Sequence, residues 1–190
     1  MKVSVGAKAV VYPVPSFVVG TYDKDGRPNA ATVAWSGICC SQPPCIGISL
    51  RKATYSYNSI LERGAFTVNV PSEKHIKEVD YFGIASGRKV DKFAKTGMTP
   101  VKSNIVDAPF IAEFPFILEC KLIHKIELGL HTQFIGEIVD IKADDSIINE
   151  DGKISVEKVK PIVLIPEIRK YYGIGRYLGK TFSIGKKLGN

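Results

Sequence analysis

The sequence predicts a mainly β protein, a barrel or sandwich with helices inserted between its strands. Three observations carry this. Short segments repeatedly alternate apolar and polar residues, the period of a half-buried strand. Turn signals rich in Gly, Pro, Asn and Asp separate them at intervals of about ten residues, as in antiparallel all-β folds. No βαβ rhythm, the mark of a parallel sheet, runs through the chain.

The first half supplies most of the strand signal. Phe17–Tyr22 is rich in β-formers and runs into Asp23-Lys24-Asp25-Gly26, a hairpin turn. Residues 29–35 re-enter as an extended stretch, and Ile46, Ile48 and Leu50 alternate with Gly47 and Ser49. Thr54 reads as the N-cap of a helix whose buried face carries Tyr57, Ile60 and Leu61, and Gly64 ends it. Phe66, Val68 and Val70 form the next strand, closed by Pro71.

A second helix, capped by Ser72, carries Ile76, Val79 and Phe82 and ends near Gly83 or Gly87. A loop containing Asp91-Lys92-Phe93 follows. The longest β pattern places Phe116, Leu118, Cys120, Leu122, His124, Ile126 and Leu128 on one face. After the tight turn Gly129-Leu130 comes a second long strand, residues 131–141. Asn149-Glu150-Asp151-Gly152 is another turn, and residues 161–165 a short buried strand. The tail, residues 171–190, is rich in Gly, Tyr and Lys and is expected at the surface.

The chain has 190 residues, the size of one domain over residues 1–190, with 45% hydrophobic and 24% charged residues. That composition excludes collagen, coiled coil and wholesale disorder. No run of about eighteen apolar residues suggests a membrane span, and the first residues lack the apolar core of a signal peptide. The expected location is the cytoplasm. The net charge is +7. It invites a nucleic-acid reading, but the basic residues are dispersed, never more than two in a row as in Lys186-Lys187, and form no basic helix or aromatic-basic motif. A diffuse positive excess fits an anionic small ligand equally well.

The obvious catalytic motifs are missing. The cysteines, Cys39, Cys40, Cys45 and Cys120, form no C-x-x-C, and with His75, His124 and His131 they assemble no zinc spacing. They read as reduced thiols. The tail segment Gly173-Ile174-Gly175-Arg176-Tyr177-Leu178-Gly179-Lys180-Thr181 fails the Walker spacing and the dinucleotide fingerprint. His131 opens a strand directly after a turn, so it is either a hydrogen-bonding rim residue or an acid–base group.

The most informative segment is residues 29–45 with the strand to Leu50 and the following Arg51-Lys52-Ala53-Thr54. Small and polar residues recur where a strand should carry bulk, which permits close approach of a flat ligand. Thr32, Ser36, Ser41, Ser49 and Thr54 supply hydroxyls, and Arg51 and Lys52 supply charge beside a helix N-terminus, suited to a phosphate. On these residues alone, a plain barrel strand with a charged turn explains the pattern as well.

At this segment the chain resembles the flavin reductase-like, FMN-binding split-barrel family, in its flavoredoxin branch. The likeness rests on motifs in order: Tyr12-Pro13-Val14-Pro15, Asp25-Gly26-Arg27-Pro28-Asn29-Ala30-Ala31-Thr32-Val33-Ala34-Trp35, Ser41-Gln42-Pro43-Pro44, Ile46-Gly47-Ile48-Ser49-Leu50-Arg51, Gly64-Ala65-Phe66-Thr67-Val68-Asn69-Val70-Pro71, Asp91-Lys92-Phe93 and His131-Thr132-Gln133-Phe134-Ile135-Gly136-Glu137. The resemblance implies a six-stranded antiparallel barrel of Greek-key type, a homodimer holding one FMN per subunit. It implies that Asn29, Ala30, Ala31, Thr32, Trp35, Ser36, Gly37, Ile38, Cys39 and Cys40 border the flavin ring and ribityl chain. Ser49, Leu50, Arg51, Lys52 and Thr54 would face the phosphate, with Lys92 near the cofactor. His131 matches a position where many such reductases carry Gly-Asp-His; here the tripeptide is Gly129-Leu130-His131, without the acid. The implied activity is electron transfer through FMN from NAD(P)H or a redox protein to free flavin, ferric iron or a protein, or simple electron carriage without turnover. Because flavin carries the electrons, no disulfide chemistry is expected of Cys39-Cys40.

Overall fold

Alternating patterns and hairpin turns do fold into one antiparallel barrel. A computed structural model describes residues 1–188, except the side chain of Lys187; Gly189 and Asn190 of the tail lie outside the described residues. The strands are β1 (Val14–Pro15), β2 (Phe17–Tyr22), β3 (Pro28–Val33), β4 (Ser36–Ser41), β5 (Pro44–Arg51), β6 (Ala65–Val70), β7 (Pro100–Lys102), β8 (Pro109–Ile111), β9 (Phe116–Leu128), β10 (His131–Ala143), β11 (Ile162–Ile165) and β12 (Lys170–Gly173). The helices are α1 (Ser56–Arg63), α2 (Ile76–Ile84), α3 (Lys92–Thr96) and α4 (Val156–Val159). The main sheet has seven strands in the order β3-β2-β6-β9-β10-β5-β4. Beyond β3, the Ser49 N–H donates to the Trp35 carbonyl at 2.8 Å, which ties the strand carrying Asn29 to β5 and curls the sheet round.

The strand count corrects the expected six. After Val33 the chain bends, with the Ser36 N–H donating to the Ala34 carbonyl at 3.0 Å, and β4 folds back on β5 as an exposed edge arm. Its small residues, Gly37, Cys39 and Cys40, bury little and leave no alternation to read.

The barrel interior is filled by Val19, Ile46, Ile48, Leu50, Phe66, Val68, Leu118, Cys120 and Phe134. Helix α1 closes one end by adding Tyr57 and Ile60 to this cluster. A second cluster lies outside the barrel wall, where Val18 and Ala30 meet Val79, Phe82 and Phe93 from α2 and α3. Strand β2 is therefore buried on both faces, one reason its residues are apolar without strict alternation. Gly20 of β2 is required there, because a Cβ would strike the Pro109 carbonyl oxygen and lie 2.5 Å from Thr67 Oγ1.

Several local expectations shift. Helix α1 starts at Ser56 with Tyr55 at the cap position and no side-chain cap; Thr54 sits one turn earlier, its N–H on the Arg51 carbonyl at 2.8 Å. Leu61 is exposed. Ser72 makes no cap bond and precedes a 3-10 turn, Glu73–His75, that leads into α2. The Asp91-Lys92-Phe93 stretch is no loop: Asp91 accepts from the Ala94 N–H at 3.0 Å and caps α3, which is too short to show periodicity. Strand β9 pairs with β6 only as far as Lys121, so its outer half is an edge flanked by β10 alone, leaving Ile126 and Leu128 exposed despite their apolar pattern. Part of the tail is strand β12, paired with β11.

Candidate functional site

A cavity of about 510 Å³ opens where β3, β5, the N-terminus of α1 and the C-terminal end of α2 converge. Its volume lies within the range of small-molecule sites. One wall is Asn29, Ala31 and Thr32 of β3 with Val33, Ala34 and Trp35; the second is Ser49, Leu50 and Arg51 of β5. Ala53, Thr54 and Tyr55 form the entry to α1, and Phe82, Gly83, Ile84, Ala85, Ser86 and Gly87 form the far wall. Lys92 and His131 complete the lining.

Each wall is held by identifiable contacts. Thr32 Oγ1 donates to the Val79 carbonyl, fastening β3 to α2. Asn29 Nδ2 donates to Ser56 Oγ at 2.9 Å, fastening β3 to the first turn of α1. Tyr55 is oriented by its hydroxyl, which donates to Asp23 Oδ2 at 2.8 Å. Burial pushes the Asp23 carboxyl up, but the Arg27 and Asp25 N–H groups, the Tyr55 hydroxyl and the Arg27 guanidinium together hold it below the usual range. The Arg88 guanidinium lies 5.5 Å from the centre of the Tyr55 ring and donates to the Ala53 carbonyl at 2.7 Å. Gly87 has no room for a side chain: a Cβ would meet Asn29 Oδ1 and come within 2.7 Å of Tyr55 Cδ1.

Lys92 is the buried cation of the site. Its ammonium donates to the Ala30 carbonyl at 2.7 Å and the Phe82 carbonyl at 2.8 Å, bridging β3 and α2. Burial lowers its pKa to about 8, so it still carries its charge at neutral pH. Arg51 stands opposite His131 in the β5–β10 pairing, so the two share the rim. Among the described lining residues Arg51 and Lys92 are cations and none is a carboxylate. Helix α1 adds to this field, because its first turn has neither a side-chain cap nor an acidic residue to offset the positive end of its dipole. The cavity is thus built for an anion at one end and a flat group along small residues at the other.

Of the residues expected from sequence, the structure gathers Asn29, Ala31, Thr32, Trp35, Ser49, Leu50, Arg51, Thr54, Lys92 and His131 around the cavity. Ala30 contributes only its carbonyl, to Lys92, and its side chain faces the second cluster. Ser36, Gly37, Ile38, Cys39 and Cys40 lie on β4 and do not line the cavity; Cys39 and Cys40 are exposed on that edge arm. Lys52 does not line it either, its ammonium being 3.0 Å from Glu127 Oε2. The reading from sequence missed Tyr55 and the wall from Phe82 to Gly87. The signal was present in Ser86-Gly87-Arg88-Lys89, small residues followed by cations just after a helix. A smaller neighbouring cavity, about 280 Å³, shares Asn29, Tyr55, Gly87 and Lys92 and adds the cations Arg27, Arg88 and Lys89 together with the carboxylates Asp23 and Asp91.

Known proteins share this chain's sequence pattern and fold. The family model described as flavin reductase like domain matches residues 9–164. The solved structure of a flavoredoxin of Desulfovibrio vulgaris (Miyazaki F) superposes with a TM-score of 0.93 at 55% identity, covering 97% of this chain and 100% of that one. A flavoredoxin from Methanosarcina acetivorans superposes with a TM-score of 0.93 at 28% identity, covering 99% of each chain. A ferric-chelate reductase (NAD(P)H) of Archaeoglobus fulgidus is 30% identical over 102 residues, 53% of this chain and 59% of that protein.

Proposed function

The chain belongs to the flavin reductase-like domain family, and from that premise we propose that its large cavity is an FMN site and the protein an FMN-dependent oxidoreductase. The observation that carries this is the cavity itself, with small residues and hydroxyls along one length over the buried Lys92 charge, Arg51 and a helix N-terminus for an anion, and no lining carboxylate among the described residues. Donor sets of this kind fit a flat ring joined to a phosphate. When bound, FMN supplies the hydride and single-electron chemistry, for which no protein acid–base dyad is needed.

The chain's own residues bind and orient. Arg51, Thr54 and the positive end of α1 hold the phosphate end. Ala31, Ala34, Gly83 and Ala85 let the backbone approach the ring. Lys92 keeps a positive charge beneath that region and locks β3 to α2. His131, at the rim beside Arg51, is a hydrogen-bonding group for the reductant; no side-chain hydrogen bond to it from a protein acid is present among the described residues. Electrons come from NAD(P)H or a reduced redox protein and pass to free flavin, ferric iron or a protein acceptor. The name of the ferric-chelate reductase relative supports the nicotinamide donor, and the flavoredoxin likeness supports electron carriage as the second reading.

The functional unit in this proposal is the whole chain, residues 1–190, as one domain in a homodimer. Exposed Leu128 and Leu130 at the β9–β10 turn, beside the rim residue His131, are the apolar surface for the second copy. A reducing cytoplasmic setting fits the four free cysteines, and no helix is long and apolar enough to cross a membrane.

Anaerobic stopped-flow mixing of the FMN-loaded protein with NADH and NADPH tests the enzyme reading, which expects rapid loss of the visible flavin absorbance with at least one of them. Bleaching by a reduced iron–sulfur protein but by neither nucleotide favours the carrier. Protein that retains no FMN contradicts both.

A further inference from the structure

The thiols of the β4–β5 hairpin lie outside the flavin cavity and have no part in the function proposed above. Cys40 and Cys45 are direct partners in the antiparallel register, flanking the Ser41–Pro44 pair that closes the turn. Opposed residues of an antiparallel pair project to the same face with Cβ atoms about 4.5–5.5 Å apart, close to what a disulfide spans. Both sulfurs turn toward the same two-residue turn: Cys40 Sγ donates to the Gln42 carbonyl and Cys45 Sγ to the Pro43 carbonyl, each at 3.4 Å. Cys40 is exposed, whereas Cys45 is buried beneath it at 3% exposure. Cys39 is the extra residue where the register shifts between Ile38 and Cys40, so it has no cross-strand partner.

We propose that Cys40 and Cys45 form a cross-strand dithiol that closes to an intramolecular disulfide by exchange with a low-molecular-weight disulfide such as oxidised glutathione. The exposed Cys40 thiolate attacks one sulfur of the small disulfide, forming a mixed disulfide and releasing one thiol, which takes up a proton. Cys45 loses its proton and attacks Cys40 Sγ, breaking the mixed disulfide and releasing the second thiol. Two protein thiols are oxidised and one small disulfide is reduced to two thiols, so electrons and protons balance. An exposed disulfide of this kind is easily reduced again, which suits a reversible modification. Strand β5 runs from Cys45 to Ser49 and Arg51 at the cavity, so the bridge would pin the hairpin that carries one cavity wall. The other thiol nearby, Cys120, is fully buried and unable to compete for the small disulfide.

The proposal does not depend on FMN binding, and its test reads thiols and covalent bonds only. Reduced full-length protein is incubated anaerobically with oxidised glutathione, then alkylated, weighed intact and peptide-mapped. The expected result is loss of two titratable thiols and two hydrogens of mass per chain, with Cys40 linked to Cys45. Cys39→Ser keeps the bridge, and Cys45→Ser stops at a stable glutathione adduct on Cys40. A Cys39–Cys40 link, a link between chains, or wild-type protein that stops at the mixed adduct or does not react overturns it. The wild-type peptide map decides even if a variant folds poorly.

Discussion

Lys92 is a charge buried for a position rather than for stability. Its pKa falls from 10.5 to about 8 because burial opposes the charged form. Below about pH 8 folded and unfolded chains both keep the proton, and the whole cost of burying the charge is present. Between about 8 and 10.5 the folded state releases its proton first, so the contribution of this group to stability rises with pH. Within that window the slope approaches about 1.4 kcal/mol per pH unit. Urea unfolding of wild type and Lys92→Met across pH 7 to 10 should show the wild-type stability gaining on the variant through this window; parallel curves would show that Lys92 is not desolvated. Charge placement separates two other neighbours. Thr54→Ala and Arg51→Ala should each weaken FMN binding about 10-fold, the scale of one charge-assisted hydrogen bond. Lys52→Ala, which removes only a surface pair with Glu127, should change it by no more than about 2-fold. Fluorescence-quenching titrations with FMN rank the three.

At the scale of elements, the wall between α2 and α3 is set by tight packing. Gly87→Ala pushes a methyl into Asn29 and Tyr55, so FMN affinity should drop more than thermal stability does. Gly136→Ala belongs to the core: its Cβ would lie 2.5 Å from Phe66 Cζ, and overpacking there should cost about 1–3 kcal/mol in chemical denaturation. Such close approaches explain what could be read in advance. Strands β5, β6 and β10 were legible because apolar and small residues alternate under a filled barrel. Strand β4 was not, because its small exposed residues bury little, and α3 was not, because five residues show no period. For the site, Ser49, Arg51 and Thr54 are legible as hydroxyls and a cation around a strand lacking bulk, whereas Asn29 is implied only by the family resemblance. Gly83, Ser86 and Gly87 read only as punctuation after a helix, since their value comes from what packs against them, which no local pattern records.

For the whole molecule, the barrel supplies rigidity and leaves the cavity at the seam where the sheet curls round. The net charge of +7 then has a local meaning, part of it placed at Arg51 and Lys92 in a cavity with no carboxylate among its described lining residues. The β9–β10 turn with its exposed leucines beside that rim is the expected seat of a second copy. Leu128→Glu with Leu130→Glu should shift the mass in light scattering from dimer to monomer, and an unchanged mass would place the interface elsewhere. The claim on which the rest depends is that this cavity holds FMN through its cationic end. A titration of flavin-free protein with FMN, followed by fluorescence quenching in wild type and in the Arg51→Ala, Thr54→Ala double variant, tests it most directly. The expected result is saturation at one FMN per chain in the wild type and a loss of affinity of more than about 10-fold in the double variant, whose two groups share one phosphate and are therefore not additive. Saturable binding that the double variant leaves unchanged, or no quenching in the wild type, would contradict it.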